Sequence, residues 1–227
     1  MYRRQLQRTE PLGGEALTAA MVGIGMRFAA KAARTPNIED TLLFASKEGL
    51  ERHDLRVLSV LVTWLGVHSP WINADRLTRL LAEETEPRVR AFWAGVAHWL
   101  KTDRRFARLA ELHTGPGVDL LPTGTEFQLA RHGEDPRFEG SPLRVPANVL
   151  RDRPADVLTP AELARRHAGY RHRVLIGPSY RADMWGALQS SPSISAAELA
   201  RRAYGSFATA WQVKRDWTVL HENGGAR

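Results

Sequence analysis

Along most of the chain apolar residues return every third or fourth position, the period of a helix packed on one side. The pattern is sharpest near the C-terminal end. Ala210, Val213, Trp217 and Leu220 fall at i, i+3, i+7 and i+10, which predicts a helix over 207–220 with those four side chains buried. Its opposite side carries Thr209, Gln212, Arg215 and Asp216, with Lys214 at the edge. Upstream, Ser195 and Glu198 have the spacing of a capping box, in which the serine accepts an N–H from the third helical position and the glutamate reaches back to the cap. They start a shorter helix over 196–203 that turns Leu199 and Ala200 inward and Arg201 and Arg202 outward. Tyr204 and Gly205 interrupt it, and Ser206 stands where it caps the next helix. A third helix over 179–189, opened by Ser179, brings Met184, Trp185 and Leu188 against this pair.

The rest of the chain also reads mainly as helix. Residues 14–34 are rich in Ala, Met and Val and predict one helix stopped at Thr35 and Pro36. Gly23 and Gly25 within it lack the preceding strand and the spacing of a phosphate loop, and read as packing glycines. Asn37 caps a helix over 38–50, with Glu39 and Asp40 at its positive end. Leu55, Leu58, Val62 and Leu65 predict the next helix, Asn73 caps another over 74–83, and Pro87 opens one over 88–100. Within a helical domain at 14–112, residues 54–100 therefore form a degenerate three-helix unit. The helix order is also that of a small three-helix DNA-binding domain, but its last helix carries Phe92, Trp93, Val96 and Trp99, heavily apolar for a groove-reading surface, which favours a structural or protein-contacting role over DNA binding by this unit.

Residues 1–13 read as a flexible basic segment, and 113–158 as a Pro/Gly-rich connector. In the connector, 125–131 (TEFQLAR) alternates like a strand, and 143–145 is placed to pair with it in a small hairpin or wing. Thr159, Pro160 and Glu162 form a second capping box and begin a helix over 161–177, the start of a C-terminal unit at 159–227. The hexapeptide AELARR stands at both 161–166 and 197–202, but two copies of such common helix formers do not establish a duplication. The predicted fold class is mainly α: a helical N-terminal domain and a C-terminal helix-turn-helix (winged-helix-like) unit, with a small β hairpin or wing between them.

Composition narrows the chemistry. With 227 residues, 43% hydrophobic and 25% charged, the chain has the make-up of an ordinary globular protein. Its net charge is +7 and almost all of the positive charge is arginine, which pairs with phosphate in a fork geometry. There is no cysteine, so disulfides and thiolate metal sites are excluded. No apolar run reaches bilayer length. Tyr2, Arg3 and Arg4 ahead of the apolar stretch 16–26 have the outline of a twin-arginine export signal, but Glu10, Pro11 and Glu15 interrupt it, and the expected location is cytoplasmic. His167 and His172 lack an acid placed to complete a site, and His98 stands among Trp93 and Trp99 as a packed residue. No phosphate-loop, dinucleotide or nucleophile-elbow pattern occurs. The expectation is a non-enzyme with no cofactor and no metal.

Two short helices joined by a Gly-containing turn, the second with a polar and basic outer side, match a helix-turn-helix motif, although any tightly packed helix pair shares that outline. In the DNA-reading interpretation the second helix lies in the major groove. Thr209, Gln212 and Arg215 then meet base edges, and Arg201, Arg202, Ser206 and Lys214 face phosphates. The stretch SAAELARRAYGSFATAWQVKRDW is similar to the motif helices of bacterial winged-helix regulators. The wider layout resembles the AbiEi-like antitoxin and regulator group encoded beside nucleotidyltransferase-type toxins, with the difference that the winged helix of that group is N-terminal. The resemblance implies autoregulating DNA binding together with a partner-facing region. The expected function is thus a sequence-specific DNA-binding transcriptional regulator, of antitoxin type if the resemblance holds. Its expected partners are double-stranded DNA, a nucleotidyltransferase-type toxin and a second copy of the chain in a homodimer, with no membrane. Two rivals stand beside it: a protein-binding module anchored on Trp93, Trp99 and Trp211, and an RNA-binding protein using the same arginine surface.

Overall fold

The computed structural model describes residues 12–221. All but the last two residues of the predicted basic segment 1–13 therefore lie outside the described residues, as do 222–227 of the predicted C-terminal unit. Among the described residues there are twelve α-helices and a single sheet of two short strands, so the chain is mainly helical. None of these helices is long and apolar enough to cross a membrane. The described residues fall into two compact units, Leu12–Leu158 and 159–221.

The larger unit starts with α1 (Gly14–Gly23), α2 (Ile38–Glu51), α3 (Leu55–His68), α4 (Ala74–Ala82) and α5 (Pro87–Trp99). Asn37, Asp54 and Asn73 cap α2, α3 and α4 by accepting backbone N–H groups. The single helix predicted over 14–34 is not formed, because α1 stops at Gly23. There the chain folds back so closely that a Cβ on Gly23 would lie 2.6 Å from Pro36 Cγ and 2.7 Å from Ala33 O. Gly25 then takes a positive φ of 97°, and Met26 bridges to Val157 in antiparallel fashion. Glu39 and Asp40 do not sit in solvent at a helix end. Both are buried around a fully buried Arg76, whose Nη2 donates to Asp40 Oδ1 at 2.7 Å while Glu39 accepts the Asn73 N–H at 2.9 Å.

Helix α5 runs through the core, with Val89 and every residue from Ala91 to Ala97 buried. The chain continues through α6 (Ala107–Ala110), β1 (Val118–Asp119), α7 (Thr125–His132) and β2 (Leu143–Arg144). Two expectations fail in this region. Residues 125–131 form a helix, not a strand: Gly124 enters it in the left-handed conformation at φ 76°, and Glu126, Gln128, Leu129, Ala130 and Arg131 are good helix formers. The apparent alternation also has no counterpart in burial, since Phe127 is 63% exposed while Thr125 is buried. Leu143 instead pairs with Val118, and the two strands are parallel, so no hairpin or wing is made. Nor do residues 113–158 act as a connector. They place Leu120, Phe138, Leu143, Val145 and Leu150 in the core, and Phe138 and Leu143 reach α5 at Gly95, where a Cβ would meet Phe138 Cδ1 at 2.9 Å.

The smaller unit contains α8 (Pro160–Arg166), α9 (Ala168–Ile176), α10 (Tyr180–Ser190), α11 (Ala196–Arg202) and α12 (Phe207–His221). The Thr159–Glu162 capping box forms in full. The continuous helix predicted over 161–177 breaks at His167, which ends α8 at φ −119° and ψ 103° and then caps α9, its Nδ1 accepting the Tyr170 N–H at 3.0 Å. Helices α9 and α10 approach until a Cβ on Gly186 would lie 2.6 Å from the backbone of Gly169. Beside that contact, buried Arg173 donates from Nε to Asp183 Oδ1 at 2.7 Å and from Nη2 to Oδ2 at 3.0 Å.

Candidate nucleic-acid interface

Helices α10, α11 and α12 pack around Met184, Leu188, Ile194, Leu199, Ala200, Ala203, Ala210 and Val213, with Trp185 and Trp217 partly buried against them. Leu220, predicted in the same stripe, is 67% exposed and is not a member of this core. Trp217 stacks instead on its own helix, 3.8 Å from His221 between ring centroids, and meets Trp185 at 5.5 Å. The turn between α11 and α12 distributes its tasks differently from the sequence pattern. Tyr204 takes the left-handed conformation at φ 54°, and the Gly205 N–H closes the helix on Ala200 O at 2.9 Å. A Cβ on Gly205 would press on Met184 Cε, the flexible end of that core side chain.

Ser206 caps α12, accepting the Thr209 N–H at 2.9 Å, and its hydroxyl lies 2.6 Å from Thr209 Oγ1. Thr209, a predicted base reader, therefore directs its hydroxyl to the cap of its own helix. Gln212 donates from Nε2 to Asp216 Oδ1 at 3.0 Å. Arg215 is exposed, with its guanidinium 5.8 Å from the centroid of the Trp211 ring. Of the predicted phosphate contacts, Lys214 donates to the Ile194 carbonyl and so ties α12 to the segment before α11. Arg201 and Arg202 both turn to Glu198, through Arg201 Nε at 2.6 Å and Arg202 Nε at 2.9 Å. Ser195 caps α11 as expected, but Glu198 answers to these two arginines, whose bonds hold its carboxyl down at about 2.

The three tryptophans assigned to a partner interface separate. Trp93 is fully buried and donates from Nε1 to Ser46 Oγ at 3.0 Å, so in the folded unit it is a core residue and offers no ring to a partner. Trp99 is half-buried at the end of α5, with the Arg137 guanidinium 5.9 Å from its ring. Trp211 is 54% exposed, and one turn before it Phe207 is 60% exposed. Phe207, Trp211 and Arg215 thus form a ridge at i, i+4 and i+8 on the outer side of α12, a spacing visible in the sequence once the buried side is known. Asp216, which the pattern places on the polar side of this helix without a role, is a second such residue. It receives Arg181 Nη2 of α10 at 2.7 Å, and chiefly that bond holds its carboxyl below the usual range.

The two units differ sharply in charge. Residues 12–158 hold 19 Lys and Arg against 19 Asp and Glu, whereas 159–221 hold nine against four. Five of the seven net positive charges of the chain thus lie in the smaller unit. Among the described residues no group of three or more His, Asp or Glu side chains is placed to hold a metal ion. No protein-family model, curated protein or solved structure matches the chain.

Proposed function

We propose that the 159–221 unit binds double-stranded DNA and that the chain acts as a sequence-reading transcriptional regulator. The observation that carries this reading is the partition of charge: the three-helix arrangement of α10–α12 belongs to the basic unit, while the larger unit is neutral overall. In this reading α12 enters the major groove with Gln212 and Arg215 toward base edges, and Arg201 and Arg202 leave Glu198 for phosphates. That exchange is inexpensive, because exposed ion pairs contribute little. Thr209 and Lys214 contribute less directly, since each holds α12 in place. The antitoxin role implied by the resemblance would fall to the larger unit.

The test is a fluorescence-anisotropy titration of the full chain with its own upstream DNA and a shuffled duplex across a salt series. A preference for the native duplex that survives rising salt supports the reading, and equal binding that salt abolishes refutes it. Gln212→Ala is expected to lower discrimination by about 1–3 kcal/mol, and Arg202→Ala to weaken all duplexes alike while reducing the salt slope by about one. A second reading, protein binding through α12, is favoured by the exposed Phe207 and Trp211. In that case Trp211→Ala abolishes capture of a protein partner without altering any DNA titration.

A further inference from the structure

The carboxamide of Gln212 has a set orientation. Its Nε2 donates to Asp216 Oδ1 at 3.0 Å, one turn further along α12. The same carboxylate receives Arg181 Nη2 at 2.7 Å and has Arg215 Nη2 at 3.7 Å, which offsets its charge on a surface meant for phosphates. An ionised carboxylate can only accept, so the amide must turn nitrogen toward Asp216 and Oε1 away from it. What remains for a ligand is one acceptor, Oε1, beside one further N–H.

Resting on the DNA-reading role of α12, we propose that Asp216 is a positioning residue that makes Gln212 a reader of adenine. In the major groove adenine offers an N7 acceptor beside an N6 amino donor, the complement of one N–H beside one oxygen. An amide turned the other way would offer its NH2 group to guanine, whose N7 and O6 both accept. By excluding that orientation, Asp216 sets the choice between the two purines. Arg181 supports it from α10 and keeps the carboxylate ionised and in place.

The experiment uses the full chain and the variants Asp216→Ala, Asp216→Asn and Gln212→Ala, each checked for unchanged thermal unfolding. Duplexes selected from a randomised library are competed to give the adenine-over-guanine ratio at the most discriminating position. The ratio is expected to fall about tenfold in Asp216→Ala and Gln212→Ala, and to stay within about threefold of wild type in Asp216→Asn, whose amide oxygen can still accept. Unchanged discrimination in Asp216→Ala, or equal weakening on every duplex, overturns the assignment. The side-chain amide of Gln212 in the free protein is a second readout by NMR: one Nε2 proton shifted downfield and protected, and lost in Asp216→Ala, supports the positioning. Free-amide values in the wild type overturn the positioning even if DNA is read, whereas a wild type without base preference but with the shifted amide locates the failure in the DNA reading itself.

Discussion

Replacing Gly186 by alanine adds one methyl group where α9 and α10 come nearest. The new Cβ would lie 2.6 Å from both Cα and N of Gly169 and 3.1 Å from the carbonyl carbon of Ala168. All three are backbone atoms, so no side-chain rotation relieves the contact. Carbon atoms rest about 3.5–4.0 Å apart, so the two helices must separate by about 1 Å, a gap that forfeits a quarter to a half of each contact's attraction. The seam that opens includes buried Tyr170, Ala182 and the Arg173–Asp183 pair. Overpacking of this kind costs about 1–3 kcal/mol, and the better helix propensity of alanine returns about 1 kcal/mol. With a backbone-on-backbone clash at the upper end of that range, the net loss is about 2 kcal/mol, or roughly thirtyfold more frequent opening. Hydrogen exchange of the α9 and α10 amides measures it directly. Gly205→Ala is the control, because its new Cβ meets the end of the Met184 side chain, which can swing aside, and its exchange is expected to change less. Wild-type exchange rates in Gly186→Ala, or a larger effect in Gly205→Ala, would refute the reasoning.

Three further outcomes follow from buried groups. His68 is buried against Trp64, and burial pushes its pKa down to about 4 despite the Leu158 carbonyl at 2.9 Å. Because its folded value lies below the unfolded 6.5, the unfolded chain binds more protons between those limits. The larger unit then loses about 2 kcal/mol from this group between pH 7 and pH 5. Urea unfolding at the two pH values should show this slope flattened in His68→Gln, whose amide can still donate to Leu158; an identical slope would contradict it. Trp93→Ala is expected to destabilise the larger unit by about 3–5 kcal/mol, whereas Trp211→Ala stays within about 0.5 kcal/mol, as chemical denaturation can compare. Arg173→Met should cost about 3–5 kcal/mol by leaving Asp183 buried beside an apolar chain, and the double change Arg173→Met with Asp183→Leu should recover most of it. Absence of that recovery in a double-mutant cycle would show that the pair is not the source of the loss.

Most of the helical elements were legible because their signals are local. Asn37, Asn73, Thr159, Ser179, Ser195 and Ser206 each accept the N–H three residues ahead, a distance over which the side chain and the helix it starts appear together in the sequence. The apolar period likewise placed Met184, Leu199, Ala210 and Val213 in one core. What misled was pattern without context. Seven residues at 125–131 are too few to separate a strand from a helix. The break at His167 depends on a ring nitrogen capping α9, and the stop at Gly23 on Pro36 folding back against it.

For the candidate interface, the sequence determined which residues share α12 and that its outer side is polar and basic, since both follow from helical spacing and charge. Helical spacing also brings Thr209 to Ser206, Gln212 to Asp216, and Arg201 and Arg202 to Glu198, whereas only the tertiary structure decided the partners that come from other elements. Arg181 reaches Asp216 from 35 residues away, Lys214 reaches Ile194, and Trp93 reaches Ser46 across 47 residues. Contacts at such separations depend on how helices pack, and no spacing rule along the chain encodes them.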